Sequence, residues 1–175
     1  MSGARRFESL VLPHLDAGYN LARWLLRDGH DAHDATQEAC LRALRSIDRL
    51  RGDEARPWFL TIVRHACYDW MHRNPRPGPE PDAGAVPGEA GADPLLGAIR
   101  NDEANALAAA LAALPIAYRE VIVLRELEGL SYLEIAGVAA IPIGTVMSRL
   151  SRARRLLRRS PLLEAVAPAR AGGEP

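Results

Sequence analysis

The sequence predicts an all-α protein made of two small helical domains. Apolar residues recur at helical spacing along the 175-residue chain, and the sustained alternation that marks a strand is absent from the sequence. A stretch rich in Pro and Gly divides the chain into two segments. Hydrophobic residues form 48% of the sequence, which is enough for packed cores. We therefore expect a domain at 1–73, a flexible acidic linker at 74–94 and a second domain at 95–175.

Four helices are predicted in the N-terminal segment. Pro13 suits the first turn of the second helix, because a backbone nitrogen in that turn needs no intrahelical partner. The Asp-Gly pair at 28–29 and the Arg-Gly pair at 51–52 are typical of helix ends, and the Asn-Pro pair at 74–75 stops the fourth helix. The expected helical ranges are 5–12, 13–27, 31–50 and 57–73.

The linker is predicted from its composition. Residues 74–94 are dominated by Pro, Gly, Ala and acidic residues, and Val86 is the one large apolar side chain among them. Such a segment buries too little apolar surface to fold, and its repeated prolines oppose helix formation. Fully extended, it reaches about 65–70 Å. The two helical segments are therefore expected to be tethered loosely.

Four more helices are predicted in the C-terminal segment. An Ala-rich stretch favours the first of them, and Gly129 is a typical stop for the second. Ser131 and Glu134 have the spacing of a capping box, which starts the third helix. Residues 141–144 form a turn before the last helix, and Pro161 ends that helix. The expected helical ranges are 95–114, 115–128, 131–140 and 145–159.

The distribution of charge is more informative than its sum. Twenty-two arginines balance 22 acidic residues, so the formal net charge is zero. Six arginines and no acidic residue nevertheless lie between Met147 and Ser160, and a polyanion responds to that local excess. Two cysteines, Cys40 and Cys67, are too few for a disulfide-stapled secreted fold, and no apolar run is long enough for membrane insertion. We expect a cytoplasmic protein.

The last predicted helix is amphipathic. Its apolar face consists of Val146, Leu150, Ala153 and Leu157. Its opposite face consists of Ser148, Ser151, Arg152, Arg155 and Arg159. With the short capped helix and turn before it, this helix has the outline of a helix-turn-helix, whose second helix enters the DNA major groove. Hydroxyl and guanidinium groups suit base edges and phosphates, and the alternative interpretation is a solvated basic helix end.

A family resemblance lies in residues 114–157, which read LPIAYREVIVLRELEGLSYLEIAGVAAIPIGTVMSRLSRARRLL. This run resembles the region 4 domain of extracytoplasmic-function sigma factors, the promoter-specificity subunits of bacterial RNA polymerase. The resemblance implies that the domain reads the −35 promoter element. The residues implied to face base edges are Met147, Ser148, Ser151 and Arg152. The residues implied to contact phosphates are Arg125, Arg149, Arg154 and Arg155. A structural salt bridge is the alternative for Arg149, and Met147 stands where the family often has a basic residue.

A second resemblance lies in residues 31–52, which read DAHDATQEACLRALRSIDRLRG. This run resembles the region 2 helix of the same family, which docks on the coiled coil of the largest core polymerase subunit. On a helix, its acidic residues form a ridge. The residues implied to bind core polymerase are Asp31, Asp34, Gln37 and Glu38. A solvated acidic face near a helix N-terminus is the alternative, and Asp31 is a candidate helix cap.

The fourth predicted helix combines a core face with an unusual outer face. Its core face consists of Phe59, Val63, Ala66 and Trp70. Its outer face mixes aromatic and basic groups, which suit unstacked bases and phosphates. In the resembled family, this helix and the preceding loop, here 51–56, bind the −10 element and hold a flipped base. The residues implied are Arg56, Thr61, Arg64, His65, Tyr68 and His72. His65 replaces the Asn common in the family, and Asp69 is expected to be a structural cap or an ion-pair partner.

The resemblance extends over almost the whole chain and implies an extracytoplasmic-function sigma factor. Such a protein directs promoter-specific initiation and has no catalytic chemistry of its own. Expected partners are core RNA polymerase, promoter DNA and an anti-sigma factor, with nucleoid association in the holoenzyme. The alternative is a free-standing helix-turn-helix regulator that acts as a dimer on a palindromic site. No cofactor motif is found in the sequence, and His30, His33 and Cys40 lack the paired spacing of a zinc site.

Overall fold

The computed structural model describes residues 2–52, 54–76 and 102–165. Within these ranges all regular elements are helical, as the sequence predicts. The α-helices are α1 (Gly3–Leu10), α2 (Leu15–Leu26), α3 (Gly29–Ser46), α4 (Ala55–Arg73), α5 (Asp102–Ala113), α6 (Ile116–Ile122), α7 (Tyr132–Ala139), α8 (Ile143–Arg158) and α9 (Pro161–Glu164). Short 3₁₀ turns lie at Leu12–His14 and Ile47–Arg49, and a π-helical segment lies at Val123–Leu127. Most of the expected linker, from residue 77 onward, lies outside the described residues.

Helix α3 begins earlier than its sequence pattern predicts. Asp28 is the N-cap, and its Oδ1 accepts the backbone N–H groups of His30 and Asp31, both at 2.9 Å. The cap satisfies two of the donors that a helix leaves free in its first turn. The expectation that Asp31 could cap this helix is therefore wrong, because Asp31 already lies inside the first turn.

Helix α4 also begins earlier than predicted. Its first residue is Ala55, so Arg56 lies in the first helical turn and not in a loop. The predicted loop 51–56 therefore ends at Glu54, the N-cap residue. Pro57 is compatible with this start because the third position of a helix has no intrahelical acceptor for its missing N–H.

Three helices of the N-terminal segment, α2, α3 and α4, pack against one another. Phe59, Val63 and Ala66 are buried, which confirms the predicted core face of α4, and Trp70 is partly buried beside them. Gly18 of α2 lies directly against side chains of α4. A Cβ atom at this position would lie 2.6 Å from Cε1 of Phe59. A side chain at Gly18 would therefore require the Phe59 ring or the two helices to shift.

The C-terminal segment contains the predicted helix-turn-helix. The capping box at the start of α7 is present: the Glu134 N–H donates to Ser131 Oγ at 3.1 Å, and the Ser131 N–H donates to Glu134 Oε2 at 2.7 Å. Val146, Leu150 and Ala153 of α8 are buried, which confirms the predicted apolar face. Helix α8 packs on both α6 and α7. The opposite face of α8 is consequently held outward.

The connection between α6 and α7 is a π-helical segment closed by a glycine. The backbone N–H of Glu128 donates to the carbonyl of Val123 at 3.0 Å, five residues back. Gly129 follows with φ of +67°, a left-handed conformation that glycine adopts without strain. The predicted stop at Gly129 is confirmed. The extra residue per turn rotates the end of this segment, and it brings Glu128 toward the N-terminal helices.

The two helical segments pack against each other. Helix α4 lies against α7, and α2 lies against α6 and the π-helical segment.

The end of the last predicted helix differs slightly from expectation. Pro161 follows the end of α8, as predicted, but it is also the first residue of the short helix α9. No single helix among the described residues is long and apolar enough to cross a membrane. Helices α7 and α8 together would be long and apolar enough, but they are bent by 101° relative to each other.

Candidate nucleic-acid interface

The outer face of α8 is open to solvent. Ser148, Ser151, Arg152 and Arg155 are all exposed, and Met147 is 54% exposed. The exposed side chains lie on the face opposite the buried stripe of α8. Helix α8 therefore presents short hydroxyl groups near its start and guanidinium groups further along, which is the arrangement that a major groove can accept.

Two of these exposed side chains also make contacts within the chain. Ser148 Oγ donates to the carbonyl of Thr145 at 3.1 Å, a bond that leaves the hydroxyl oxygen free to accept another. Arg152 Nη1 donates to the phenol oxygen of Tyr118 at 3.3 Å. This long hydrogen bond uses one of the five guanidinium donors. Both side chains keep donors or acceptors available for a partner.

Two of the four arginines that the sequence assigned to phosphates have partners within the chain. Arg154 forms an ion pair with Glu126 at 2.7 Å. Arg125 donates to the carbonyl of Leu130 at 2.8 Å, and its guanidinium lies 4.9 Å from the centre of the Tyr132 ring. Arg125 thus ties the π-helical segment to the start of α7. Arg155 is exposed and in a better position than Arg125 to meet a phosphate.

Helix α4 contacts the C-terminal segment through a buried carboxylate. Glu120 of α6 is fully buried and forms an ion pair with the Nε of Arg64. Arg64 Nη2 and the hydroxyl of Tyr68 donate to the other carboxylate oxygen at 3.5 and 3.4 Å. The Arg64 guanidinium also lies over the Tyr68 ring, 4.4 Å from its centre. Three charge or dipole contacts therefore converge on one carboxylate between the two segments.

A second carboxylate joins the segments beside the first. Glu128 is buried, and its Oε2 accepts a hydrogen bond from Arg56 Nη2 at 2.9 Å. Its Oε1 accepts from the side-chain amide of Asn20 in α2. Arg27, at the end of α2, donates to the carbonyl of Ala112 at 2.9 Å. The N-terminal helices thus meet the C-terminal helices through guanidinium groups bound to acceptors as well as through a shared apolar core.

Burial determines the protonation behaviour of this contact. Burial raises the pKa of the Glu120 carboxyl, and the hydrogen bond and positive charge of Arg64 oppose that rise. Burial and the neighbouring Glu120 charge raise the pKa of Tyr68 to about 12. Tyr68 is therefore a neutral donor near pH 7. Arg149 contributes to the same region, because its positive charge also acts to lower the pKa of Glu120.

Three of the six residues that the sequence assigned to the −10 element belong to the contact between the two helical segments, and three do not. Arg56, Arg64 and Tyr68 face the C-terminal segment. His65 and His72 are exposed, and Thr61 is half-buried, its hydroxyl donating to the carbonyl of Pro57 at 2.9 Å. The outer face of α4 is therefore partly covered in this structure.

Comparisons with known proteins agree with these features. Family models for sigma-70 region 2 and sigma-70 region 4 match residues 10–76 and 104–157. The ECF RNA polymerase sigma-E factor of Escherichia coli is 36% identical over 140 residues, which are 73% of this chain and 72% of that protein. The chain belongs to the extracytoplasmic-function sigma factors. Because sigma regions match both helical segments, a free-standing helix-turn-helix regulator is not favoured.

Other relatives of this sigma factor match over a similar extent. The ECF sigma factor SigE of Mycolicibacterium smegmatis is 36% identical over 157 residues, which are 87% of this chain and 60% of that protein. The structure resembles that of the sigma factor RpoE in complex with the anti-sigma factor NepR from Bartonella quintana, with a TM-score of 0.68, 27% identity and coverage of 90% of this chain and 96% of that one. It also resembles CnrH in complex with the cytosolic domain of CnrY, with a TM-score of 0.65, 27% identity and coverage of 93% and 95%.

The acidic ridge of this sigma factor lies on the outer side of α3. Asp34 and Gln37 are exposed, while Glu38 is held by Arg42 at 2.9 Å. Arg42 also pairs with Asp69 of α4 at 2.7 Å, which confirms the expectation that Asp69 is an ion-pair partner. Asp31 is half-buried and lies 3.7 Å from Arg76. The exposed part of the ridge is therefore narrower than the sequence predicts.

An apolar groove of about 690 Å³ runs beside this ridge, between α2 and α3. Leu15, Tyr19 and Leu41 line it and are each more than a third exposed. Gln37 belongs both to the groove and to the ridge. The surface of the sigma factor at this point thus combines an apolar channel with a carboxylate and amide border.

Several residues of these surfaces were not predicted from the sequence. Neither Glu120 nor Glu128 was predicted to be buried. Glu120 nevertheless lies on the same helical face as the apolar residues Ile116 and Leu124, and a charged residue in an apolar face indicates a buried charge. The exposed apolar residues of α3, of which Leu41 lines the groove, also have a sequence signal. Leu41 and Leu44 are three residues apart on the side of α3 that does not face the core, and unpaired apolar residues of this kind indicate a contact surface.

Proposed function

We propose that this sigma factor binds core RNA polymerase and directs promoter-specific initiation, with α8 reading the −35 element. The exposed serine and arginine face of α8, opposite its buried stripe, is the observation that carries the proposal. Arg152 offers a bidentate fork to a base edge, and Ser148 and Ser151 offer hydroxyl groups. We assign −35 reading to 95–175, polymerase and −10 binding to 1–73, and the tether to 74–94.

Core polymerase is proposed to dock on the ridge and the groove of α2 and α3. The apolar groove would take aliphatic side chains of a partner helix, while Asp34 and Gln37 would meet basic or amide groups along the same helix. Glu38 contributes through its pairing with Arg42, which fixes one end of the ridge. A coiled coil with one apolar stripe and basic neighbours fits this surface.

The outer face of α4 is proposed to hold the melted −10 strand. Arg56 and Arg64 would contact phosphates, and Tyr68 would stack on an unpaired base. His65, His72 and Thr61 would extend this surface along the helix. Arg56, Arg64 and Tyr68 are expected to contribute only when the C-terminal helices leave that face.

The protein is proposed to act without catalysis of its own, in the cytoplasm and at the nucleoid when bound to polymerase. Since two similar structures are complexes with an anti-sigma factor or with a partner's cytosolic domain, we propose that an anti-sigma factor also binds this chain. Such a partner would cover the polymerase-binding groove, the DNA-binding faces or both.

Polymerase binding is tested by native gel shift of purified core enzyme with the sigma factor. The double variant Asp34→Ala/Gln37→Ala removes exposed ridge groups and leaves the Glu38–Arg42 pair in place. We expect at least a tenfold loss of affinity, as for a loss of about 1.4 kcal/mol. Asp48→Ala, an exposed acid on a 3₁₀ turn, is the control and should bind normally. Full assembly by the double variant contradicts this docking site.

Promoter reading is tested by transcription of fragmented genomic DNA with the reconstituted holoenzyme, followed by sequencing of RNA 5′ ends. Wild type should yield start sites that share two separated elements. Arg152→Ala should lose the starts that depend on the upstream element, while Arg158→Ala on the same helix should keep them. Palindromic binding without polymerase would contradict the proposed function and favour a dimeric regulator.

A further inference from the structure

We infer that Ile143 and Met147 form an apolar contact for the C5-methyl group of a thymine in the upstream promoter element. This inference rests on the proposed function, because it names the chemical group that one part of α8 recognises. Ile143 is the first residue of α8, and Met147 lies one turn later on the same helix. Side chains four residues apart are neighbours on a helix surface. We call this pair the apolar edge of α8.

The apolar edge is open to solvent. Met147 is 54% exposed and Ile143 is 47% exposed, whereas Val146 and Leu150 of the same helix are buried. About half of each side chain of the apolar edge is therefore not covered by the rest of the chain. Exposed apolar side chains that lie together indicate a contact surface. The apolar edge is consequently available to a molecule outside the chain.

The charge around the apolar edge favours DNA as the molecule that binds there. Six arginines and no acidic residue lie between Met147 and Ser160, and such an excess of positive charge attracts a polyanion. Ser151, one turn after Met147, and Arg152 are both exposed, and they suit base edges and phosphates. The major groove of a duplex complements the apolar edge and these polar neighbours together.

Thymine is the base that offers an apolar group to this edge. The major groove presents hydrogen-bond donors and acceptors on every base pair, and the C5-methyl of thymine is its apolar group. In a helix-turn-helix, the N-terminal residues of the second helix contact the base edges, and both residues of the apolar edge lie in the first two turns of α8. The unbranched thioether chain of Met147 also adapts its shape to a neighbouring group.

Gly144 leaves the backbone bare beside the apolar edge. A Cβ atom added there would have no neighbour within 4 Å, so packing within the chain does not require a glycine at this position. A bare backbone lets another molecule approach closely. A methyl contact needs close approach, because a gap of about 0.5–1 Å already forfeits a quarter to a half of the attraction between two atoms.

The test replaces single thymines by deoxyuridine, which lacks only the C5-methyl group. The holoenzyme is assembled from core polymerase and the full-length sigma factor, and the probe is a promoter fragment chosen from the mapped start sites. Each thymine of the upstream element, on either strand, is replaced in turn, and affinity is read by competition with the unmodified fragment. The wild type should bind one of the uracil fragments about fourfold more weakly, the effect of one methyl group returned to water.

Substitutions at Met147 assign this loss to its side chain. Met147→Gln keeps the length of the side chain but ends it in an amide, so it should bind the thymine and uracil fragments equally. Met147→Leu restores an apolar side chain and should again prefer thymine, by about twofold or more. The matched control is Leu156→Ala, which removes an exposed apolar side chain from the opposite side of α8, nine residues further along. It should keep the wild-type preference.

The inference is overturned if uracil leaves the wild-type affinity unchanged at every position, or if the upstream element contains no thymine on either strand. It is equally overturned if Met147→Gln keeps the full loss on uracil, which is also the result expected if uracil acts only through the shape of the duplex. Failure of the proposed function is seen separately, since the wild-type holoenzyme would then fail to assemble or would yield start sites with no shared upstream element.

Discussion

Arg64 and Glu120 lie 56 positions apart in the sequence and form an ion pair in which the carboxylate is fully buried. The pair joins the middle of α4 to α6, with Tyr68 as a third member. Removing one partner of a buried pair leaves the other charge without compensation. The contact between the two helical segments therefore depends on both residues together.

A double-mutant cycle measures this dependence. Arg64→Met and Glu120→Gln should each destabilise the chain, and Glu120→Gln should cost less when Arg64 is already Met. We expect a coupling energy of about 1–3 kcal/mol, the range for residues in one polar network. Urea unfolding of the four chains checks it. Additive costs would contradict a direct interaction in solution.

Replacing Gly18 by alanine should destabilise the packing of α2 on α4. An alanine Cβ there would lie 2.6 Å from Phe59 and 3.1 Å from Val63, so Gly18→Ala should cost about 1–3 kcal/mol by forcing α2 away from α4. Gly137→Ala is the control in another helix. A Cβ atom added at Gly137 would have no neighbour within 4 Å, and the substitution should stabilise the chain by about 0.5–1 kcal/mol. Equal effects in denaturant unfolding would contradict the close packing.

The cap of α3 should make stability depend on pH. The hydrogen bond from the Asp31 N–H, followed by that from His30, lowers the pKa of Asp28 below its ordinary value of 3.8. The stabilisation is therefore complete above the unfolded pKa and is lost as the pH falls through the folded pKa. Asp28→Ala should cost about 1 kcal/mol at pH 7.

The substitution Asp28→Asn removes the negative charge of the cap but keeps its hydrogen-bond acceptor. Its amide oxygen still accepts the backbone N–H groups, so the cost at pH 7 should be only a few tenths of a kcal/mol. The gap between wild type and Asp28→Asn in thermal unfolding should close as the pH falls through the lowered folded-state pKa of Asp28 and the carboxyl becomes protonated. A gap that widens in acid would refute this account of the cap.

The interior faces of single helices were predictable, because they depend on local spacing. Phe59 and Val63 in α4, and Val146 and Leu150 in α8, were all expected to be buried, and they are. The capping box at Ser131 was predictable for the same reason, since both partners lie within one turn. The fold class and the outward face of α8 followed from these local patterns.

The contact between segments was not predictable, because it joins residues distant in sequence. Nothing local to Arg64 indicates that Glu120 will face it, and Arg56 appeared to lie in a loop because Pro57 marked the expected helix start. The cap at Asp28 was missed because Asp28 and Gly29 together resemble a helix end as well as a helix beginning. Periodicity locates faces, but it does not say which faces meet.

Among the arginines of α8, Arg155 should contribute more to duplex binding than Arg154. Arg154 is held by Glu126 at 2.7 Å and must leave that pair to meet a phosphate, whereas Arg155 is exposed. Arg155→Ala should lower the salt slope of binding to a random duplex by about one. Arg154→Ala should lower it less, and Arg45→Ala on α3 should leave it unchanged. Fluorescence anisotropy over a salt series checks the order.

The two cysteines should differ in reactivity. Burial, with the nearby charge of Glu120, raises the pKa of Cys67 to about 12, and the side chain is fully buried. Cys40 is half-buried, and burial raises its pKa as well. Iodoacetamide at pH 8 should therefore modify Cys40 slowly and Cys67 only on unfolding, as read by mass spectrometry. Rapid labelling of Cys67 in the native chain would contradict its burial.

The depth of Glu120 decides what kind of stimulus can separate the segments. Dissolved ions largely screen the attraction between surface charges that are more than about 8 Å apart, but they screen a buried ion pair much less. Osmotic upshift or a change in cellular potassium would thus leave the Arg64 pair almost untouched. Separating the pair therefore requires replacement contacts for both the guanidinium and the carboxylate.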